Sequence, residues 1–367
     1  MERYCEDLIS RLKLNKEEVE NWYKARHYVL DLMPPLDGKG IRANSSKYVH
    51  VLVDKITPLT LAVIRQICLI AHYPNYDEET EKNRTVISIC EEQAEVAFEK
   101  MKTCPYLGNL LNYCQCTIRG KIEREEDKNL PIDIEFKFIP NNNPKKSEEN
   151  DYEFIIKSVE IEKAVTGYDK FYMDVTKGML VNMVYNTGVE IDNLPACDNA
   201  NIERYSTALN VFCYKLKSEK IRETWLRDTG LKEDDTYGLI AVKNQLSSVF
   251  CGDCFASKMR SIVNANVKDM SATIDTLARC EHTRWNVEKL IMGFTPLLQE
   301  DWFQLESCFG KERKALVKKL KTDEENPRHI DLCSNKDLRR VNPSDIKYDY
   351  FLMLAMPQIM LAVNKIS

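Results

Sequence analysis

The sequence predicts an α/β protein, a doubly wound and mostly parallel sheet followed by a smaller, mainly α-helical region. Three observations carry that expectation. Two runs rich in β-branched residues, 48–54 and 84–90, are each followed by a stretch with helical periodicity, which is the order of successive β-α units in a parallel sheet. Both runs are nearly continuously apolar, as strands covered on both faces are. From about 271 onward, apolar residues recur at helical rather than strand spacing.

The elements follow in order. Residues 15–33 read as a helix within an N-terminal helical extension, 1–45. Asn15 is placed to cap it, Glu17 and Glu18 fall in its first turn, and Pro34-Pro35 end the pattern. A loop through Asp37-Gly38-Lys39-Gly40 leads to the sheet domain, 46–250. There the strand over 48–54 passes into a helix over 58–72 with proline near its first turn. The strand over 84–90 passes into a helix over 91–102. Residues 132–139 alternate apolar and charged, the pattern of a strand with one wetter face, and 154–161 is a further strand candidate. The polar stretch 140–150 between them has no core residues and should be the easiest place to nick the chain. A helix over 201–216 and a short strand over 237–242 complete the domain. Residues 251–270 then link it to the helical domain, 271–367. No internal repeat of fixed period is visible.

Composition narrows the function classes. A chain of 367 residues with 44% hydrophobic content can build two domains or one large one. Its net charge of −5 does not favour a general nucleic-acid binder. The N-terminus lacks a basic stretch followed by an apolar run, and the apolar runs at 59–71 and 351–363 are shorter than the roughly 20 residues that span a bilayer. A cytoplasmic protein without membrane insertion is expected. Thirteen scattered cysteines, odd in number and set in contexts such as Ile67-Cys68-Leu69, read as reduced core thiols.

The sheet domain's layout, from Val49 to Asp54, through the helix to His72 and the strand at Val86, is Rossmann-like and resembles the regulatory NAD-binding domains of potassium-uptake systems. A dinucleotide site of that kind needs glycines after the first strand, where the backbone must approach a pyrophosphate at a helix N-terminus. Here the turn reads Asp54-Lys55-Ile56-Thr57-Pro58-Leu59. Asp54 places a carboxylate where phosphate would lie. The domain is therefore expected to be a degenerate scaffold for dimerisation or partner contact.

Catalytic and metal signatures are weak. Cys251-Gly252-Asp253-Cys254 could be half of a zinc site, but the nearest further candidates, Cys280 and His282, lie on a helix rather than in a second knuckle. A turn before the linking helix explains it better. There is no nucleophile elbow, P-loop or His-Glu-x-x-His helix. His27, His50 and His72 sit in apolar or boundary contexts that favour structural hydrogen bonds. The basic run 311–321 carries Leu316, Val317 and Leu320 at helical spacing, which fits a solvated amphipathic helix. No residue is assigned a catalytic or metal-binding role, and an enzyme is the less favoured reading.

The densest chemistry lies in Leu277-Ala278-Arg279-Cys280-Glu281-His282-Thr283-Arg284-Trp285, continued through Glu288-Lys289 to Gly293-Phe294. On a helix, Glu281, His282, Trp285 and Lys289 share an arc of about 100°. Ile274, Ala278 and Met292 lie beside that face, and Leu277, Cys280, Val287, Ile291 and Phe294 form a second apolar stripe, so the helix is expected to pack on two sides. In the bland reading Trp285 fills a core, Glu281 pairs with Arg284 or Lys289, and His282 satisfies a backbone carbonyl. The sharper reading is a recognition surface.

This helix is followed by Asn326-Pro327-Arg328-His329-Ile330-Asp331-Leu332, then Tyr348-Asp349 and the apolar segment to Val363. The succession resembles the ryanodine-receptor repeat (RyR) domain over roughly 271–367. Phe294 stands where the family has tryptophan, and an insertion at 300–322 separates the two halves. The resemblance implies a nucleotide-responsive regulator, without a certain cofactor, that takes an adenine-containing metabolite or nucleotide-derived messenger. Trp285 would stack on the base, Glu281 or His282 would bond its edge, and Lys289 with Arg328 or His329 would meet phosphate, with Tyr348 and Asp349 completing the set. A single repeat points to a homodimer, and bacterial relatives point to a defence setting. The alternative is a non-catalytic structural or adaptor protein.

Overall fold

A computed structural model describes residues 15–124, 129–141, 144–145, 152–168, 176–190, 202–217, 242–263 and 270–366. Helix α1, Lys16–His27, begins with a capping box in which Asn15 and Glu18 bond each other's backbone N–H. It runs into a π-helical turn, Tyr28–Leu32. The sheet then forms from β1 His50–Val53, β2 Thr85–Cys90, β3 Gln115–Ile118, β4 Lys121–Arg124, β5 Ile134–Ile139 and β6 Glu153–Ile156. Between them lie α2 Pro58–Ile70, α3 Ala94–Lys102 and α4 Leu107–Leu111, and α5 Ser158–Ala164 follows β6.

The strand order is β4-β3-β5-β2-β1-β6. All neighbours are parallel except β3 and β4, which form an antiparallel hairpin at the edge. The chain leaves β1 in one direction to β2 and beyond, then returns to place β6 on the other side of β1. That reversal makes the α/β sheet doubly wound, and the Rossmann-like class expected from the sequence is what the chain adopts. All six residues of β2 are buried, whereas β5 alternates buried Ile134, Phe136 and Phe138 with partly exposed Glu135 and Lys137.

Two expectations need correction. The strand candidate 154–161 ends at Ile156, and Ser158 onward is helix α5. Asp54 explains the switch: its Oδ1 accepts the Ser158 N–H at 2.9 Å, so the carboxylate after β1 caps the helix after β6. The apolar run 351–363 is part of a longer helix, Ile346–Ile366. The strand expected over 237–242, apart from Val242, which begins a helix, and most of the polar stretch 140–150 lie outside the described residues.

Among the described residues the remaining helices are α6 Thr176–Glu190, α7 Ile202–Lys217, α8 Val242–Asp253, α9 Phe255–Ile262, α10 Met270–Ile291, α11 Gln299–Ser307, α12 Gly310–Lys321, α13 Asn335–Val341 and α14 Ile346–Ile366. One core joins the sheet to α1, α2 and α4 and takes in Val287, Leu290, Ile291 and Phe294. A second core packs Leu180 and Val184 of α6, Phe212 of α7, Phe255 of α9, and Ile274, Leu277 and Ala278 of α10 against Tyr350 to Ile359 of α14. Helix α10 is thus packed on two sides in sequence rather than by stripe: its N-terminal half enters one core and its C-terminal end the other. The 346–363 stretch of α14 is long and apolar enough to cross a membrane, with mean hydropathy 1.2. Its buried side chains, among them Phe351, Met353, Met356 and Ile359, are partners in the second core.

Tight contacts fix the helices around α8. A Cβ added to Gly178 of α6 would lie 2.7 Å from Val249 Cγ2, and one added to Gly252 would lie 2.9 Å from Lys177 Cβ. Two glycines therefore let α6 and α8 meet backbone to backbone. Asp253 ends α8 and accepts Arg26 Nε at 2.8 Å and Nη2 at 2.6 Å, with Gln66 Nε2 at 3.3 Å. This buried pair ties α8 to α1 and α2.

Candidate functional site

Helix α10 stops with a Schellman motif: Gly293, at φ +84°, donates to the Leu290 carbonyl, and Phe294 N–H donates to Lys289 O at 2.9 Å. Asn109 Nδ2 then clasps the carbonyls of Leu290 at 2.7 Å and Phe294 at 2.9 Å, fixing the helix end to α4. Beyond the turn, Thr295 pairs with the 327–329 segment through Thr295 N–H to Pro327 O and His329 N–H to Thr295 O. That short extended pairing sets His329 beside Trp285, with ring centroids 4.9 Å apart, and against Phe294 at 5.8 Å.

Successive residues of an extended segment point to opposite sides. Arg328 accordingly leaves His329's side and pairs with Asp301 Oδ2 at 3.0 Å, on the insertion helix α11. It does not line the cavity described below. The insertion itself is a two-helix unit, α11 and α12, with its own small core of Leu297, Leu305, Leu320 and Ile330. Its apolar face Leu316, Val317 and Leu320 is used there, as an amphipathic helix requires.

Beneath the polar face of α10 runs a buried chain of alternating charge. Lys258 of α9 pairs with Glu281 Oε2, and Arg284 Nε donates to Glu281 Oε1 at 2.8 Å. Arg284 Nη1 reaches Glu288 Oε2 at 2.7 Å, and Lys289 Nζ reaches Glu288 Oε1 at 2.6 Å. Burial works against ionisation of Glu281, but Arg284 and Lys258 outweigh it and hold the carboxyl at about 2. Glu288 is likewise lowered, because Lys289 and Arg284 overcome its burial. Removing one member of such a chain leaves a buried charge uncompensated, at a cost of roughly 3–5 kcal/mol.

His282 is held from both sides. Its Nε2 donates to the Cys333 carbonyl at 2.9 Å, which also accepts Asn286 Nδ2, and its Nδ1 lies 3.4 Å from Asp349 Oδ2. Burial alone would lower its pKa, but the Asp349 carboxylate and the Cys333 carbonyl reverse the sign and raise it well above the usual value.

These groups open onto one cavity of about 610 Å³. Of the residues singled out from sequence, Glu281, His282, Trp285, Lys289, His329, Tyr348 and Asp349 line it, and Arg328 does not. Trp285 is part-buried, with the His282 ring near-parallel at 6.0 Å and the Lys289 ammonium over its ring at 5.2 Å. Glu281 has both oxygens engaged by Lys258 and Arg284. His329 Nδ1 accepts the Asp331 N–H at 3.2 Å.

Sequence reasoning missed the wall contributed by α6 and α8. Asn182, Tyr185 and Asn186 line the cavity from α6, and Ser247 and Ser248 from α8. Tyr185 stacks on Tyr348 at 4.3 Å with ring planes 21° apart. Asn186 Nδ2 donates to Asn182 Oδ1 at 3.0 Å, so the pair keeps Asn182 Nδ2 and Asn186 Oδ1 for other partners. The i, i+3, i+4 spacing of these three polar residues was the available signal, since it puts them on one helix face. Lys258 gave no signal: a single lysine in a linking segment reads as a surface residue.

The other candidates have structural partners. His72 Nδ1 faces Asp133 at 2.8 Å and its Nε2 donates to Cys68 O at 2.7 Å; His50 lies 2.8 Å from Glu153 and from Ser88 Oγ; His27 stacks on Tyr168 at 3.9 Å. Cys254 Sγ donates to the carbonyls of Leu69 and Phe250, and burial pushes its thiol up to about 12. Among the described residues no cluster of three or more His, Cys, Asp or Glu side chains is arranged to hold a metal ion. No protein-family model, curated protein or solved structure matches the chain.

Proposed function

We propose that the protein is a cytoplasmic regulator that senses an adenine-containing metabolite or nucleotide-derived messenger in this cavity, through a C-terminal RyR-like domain. The observation that carries the reading is convergence. Seven residues chosen for their chemistry lie in two stretches, 281–289 and 329–349, that are 40 positions apart, yet they line one cavity whose volume is that of a small-molecule site. Trp285 and the Tyr185–Tyr348 pair supply flat aromatic surface, and base stacking on such surface contributes roughly 1–3 kcal/mol. Asn182 and Asn186 offer one donor and one acceptor, the pattern that an adenine edge presents in complement. Glu281 and Arg284, engaged with each other within the wall, fix Glu288, Lys289 and the helix rather than reading the base.

Assembly as a homodimer belongs to the same proposal, with the degenerate sheet domain as its scaffold. The adaptor reading draws on a different feature: Leu298, Phe303 and Phe309, around α11, are 48%, 62% and 78% exposed, and exposed apolar groups of that size mark contact surfaces when they cluster. Thermal-shift measurements separate the two. With adenosine, ATP, ADP, ADP-ribose, NAD and cyclic nucleotides, at least one compound is expected to raise the melting temperature of the wild type and not of Trp285→Ala. No shift with any of them, in wild type and variant alike, sinks the sensor and leaves the adaptor.

A further inference from the structure

We infer that the cavity takes a nucleoside-like molecule, a flat heteroaromatic ring with an uncharged polar substituent, and discriminates against its phosphorylated forms. The inference rests on the ligand-binding reading of the cavity and specifies its substrate class.

A phosphate needs cations or backbone N–H groups that can turn toward it. The cations on this wall already face carboxylates. Arg284 lies between Glu281 and Glu288, Lys289 is 2.6 Å from Glu288, and His282 stands beside Asp349. Lys321 sits near enough to Asp331 to favour its ionised form. Arg328, the one arginine that the sequence pattern offers for phosphate, is turned away to Asp301. His329 uses Nδ1 as an acceptor for the Asp331 N–H, the role of a neutral imidazole.

The wall also offers no surplus of positive charge. Arg284, Lys289 and Lys321, with His282 held toward its protonated form, stand against Glu281, Asp331, Asp345 and Asp349. Behind the wall, Glu288 on Arg284 and Lys289 is matched by Lys258 on Glu281. Asp345 lies where Tyr185, Tyr348 and Asp331 all feel its charge. A phosphate entering that end meets like charge, and one entering at Lys289 must draw the ammonium off a buried carboxylate. A ring with a ribose-like substituent meets neither cost. It has the indole of Trp285, the phenols of Tyr185 and Tyr348, and the two amides of α6 as partners.

Isothermal titration calorimetry on the full chain at neutral pH, with adenosine, AMP and ATP as probes, tests this directly. Adenosine is expected to bind at least about tenfold more tightly than AMP or ATP. Trp285→Ala should abolish the adenosine signal, and Tyr185→Ala, at a half-exposed position, is the second variant if the first fails to fold. Asp345→Asn should narrow the adenosine-to-AMP ratio. AMP or ATP binding as tightly as adenosine, or an unchanged ratio in Asp345→Asn, overturns the inference while the adenine reading stands. Binding by none of the three also overturns the inference, and the thermal shifts with ADP, ADP-ribose, NAD and cyclic nucleotides then decide whether the adenine reading falls with it.

Discussion

Glu281 stays ionised in the interior because Lys258 and Arg284 hold it from two directions, and through Arg284 the same chain fixes Glu288 and Lys289. Asp331 is the contrasting case. Burial first, and the nearby Asp345 second, raise its pKa from 3.8 to about 6. Between those values the unfolded chain gives up the Asp331 proton while the folded chain keeps it. Its contribution to stability is therefore fully present below about 3.8 and is lost as pH rises through about 6. Asp331→Asn, which keeps an oxygen for Asn342, is expected to remove that decline; melting temperatures of both proteins at pH 4, 5, 6 and 7 check it, and parallel curves would refute it. At this scale the sequence was informative where local geometry decides. Glu281, His282, Trp285 and Lys289 share a face by helical periodicity alone. It was silent on Lys258 and Tyr185, because whether a lysine is buried or a tyrosine meets Tyr348 depends on which distant helix arrives opposite.

At the scale of elements, β1, β2 and β5 were legible because buried parallel strands are apolar and half-buried ones alternate. Strands β3 and β4 were not: each has four residues, and Lys121-Ile122-Glu123-Arg124 at the sheet edge is exposed throughout. Residues 158–161 misled because Val159 and Ile161 continue the apolar pattern of β6, while the capping carboxylate that starts a helix there belongs to Asp54, more than a hundred positions away. The contact of α6 with α8 makes an element-scale prediction. Gly178→Ala places a methyl 2.7 Å from Val249 Cγ2 and 3.1 Å from its backbone, so the helices must part. A loss of roughly 1–3 kcal/mol in urea unfolding is expected, together with weaker ligand binding, since α6 and α8 form one wall of the cavity. An unchanged midpoint would show that this contact does not set their spacing.

Across the whole molecule, the second core joins helices that precede position 250 to helices that follow position 270. The polar cavity lies against that junction, with α6 and α8 on one side and α10, the 329–331 turn and α14 on the other. A resemblance confined to 271–367 could point to one side of the site only. The partner wall comes from a stretch whose sequence has no signature, and the glycine contacts that bring it close are visible only in three dimensions. The central claim is that this junction is a ligand site, and a crystal structure of the protein grown with adenosine tests it most directly. The claim predicts density for the base in the cavity, against Trp285 or the Tyr185–Tyr348 pair and within hydrogen-bond reach of Asn182 or Asn186. Density for the ligand elsewhere, with this cavity holding only water, would contradict it.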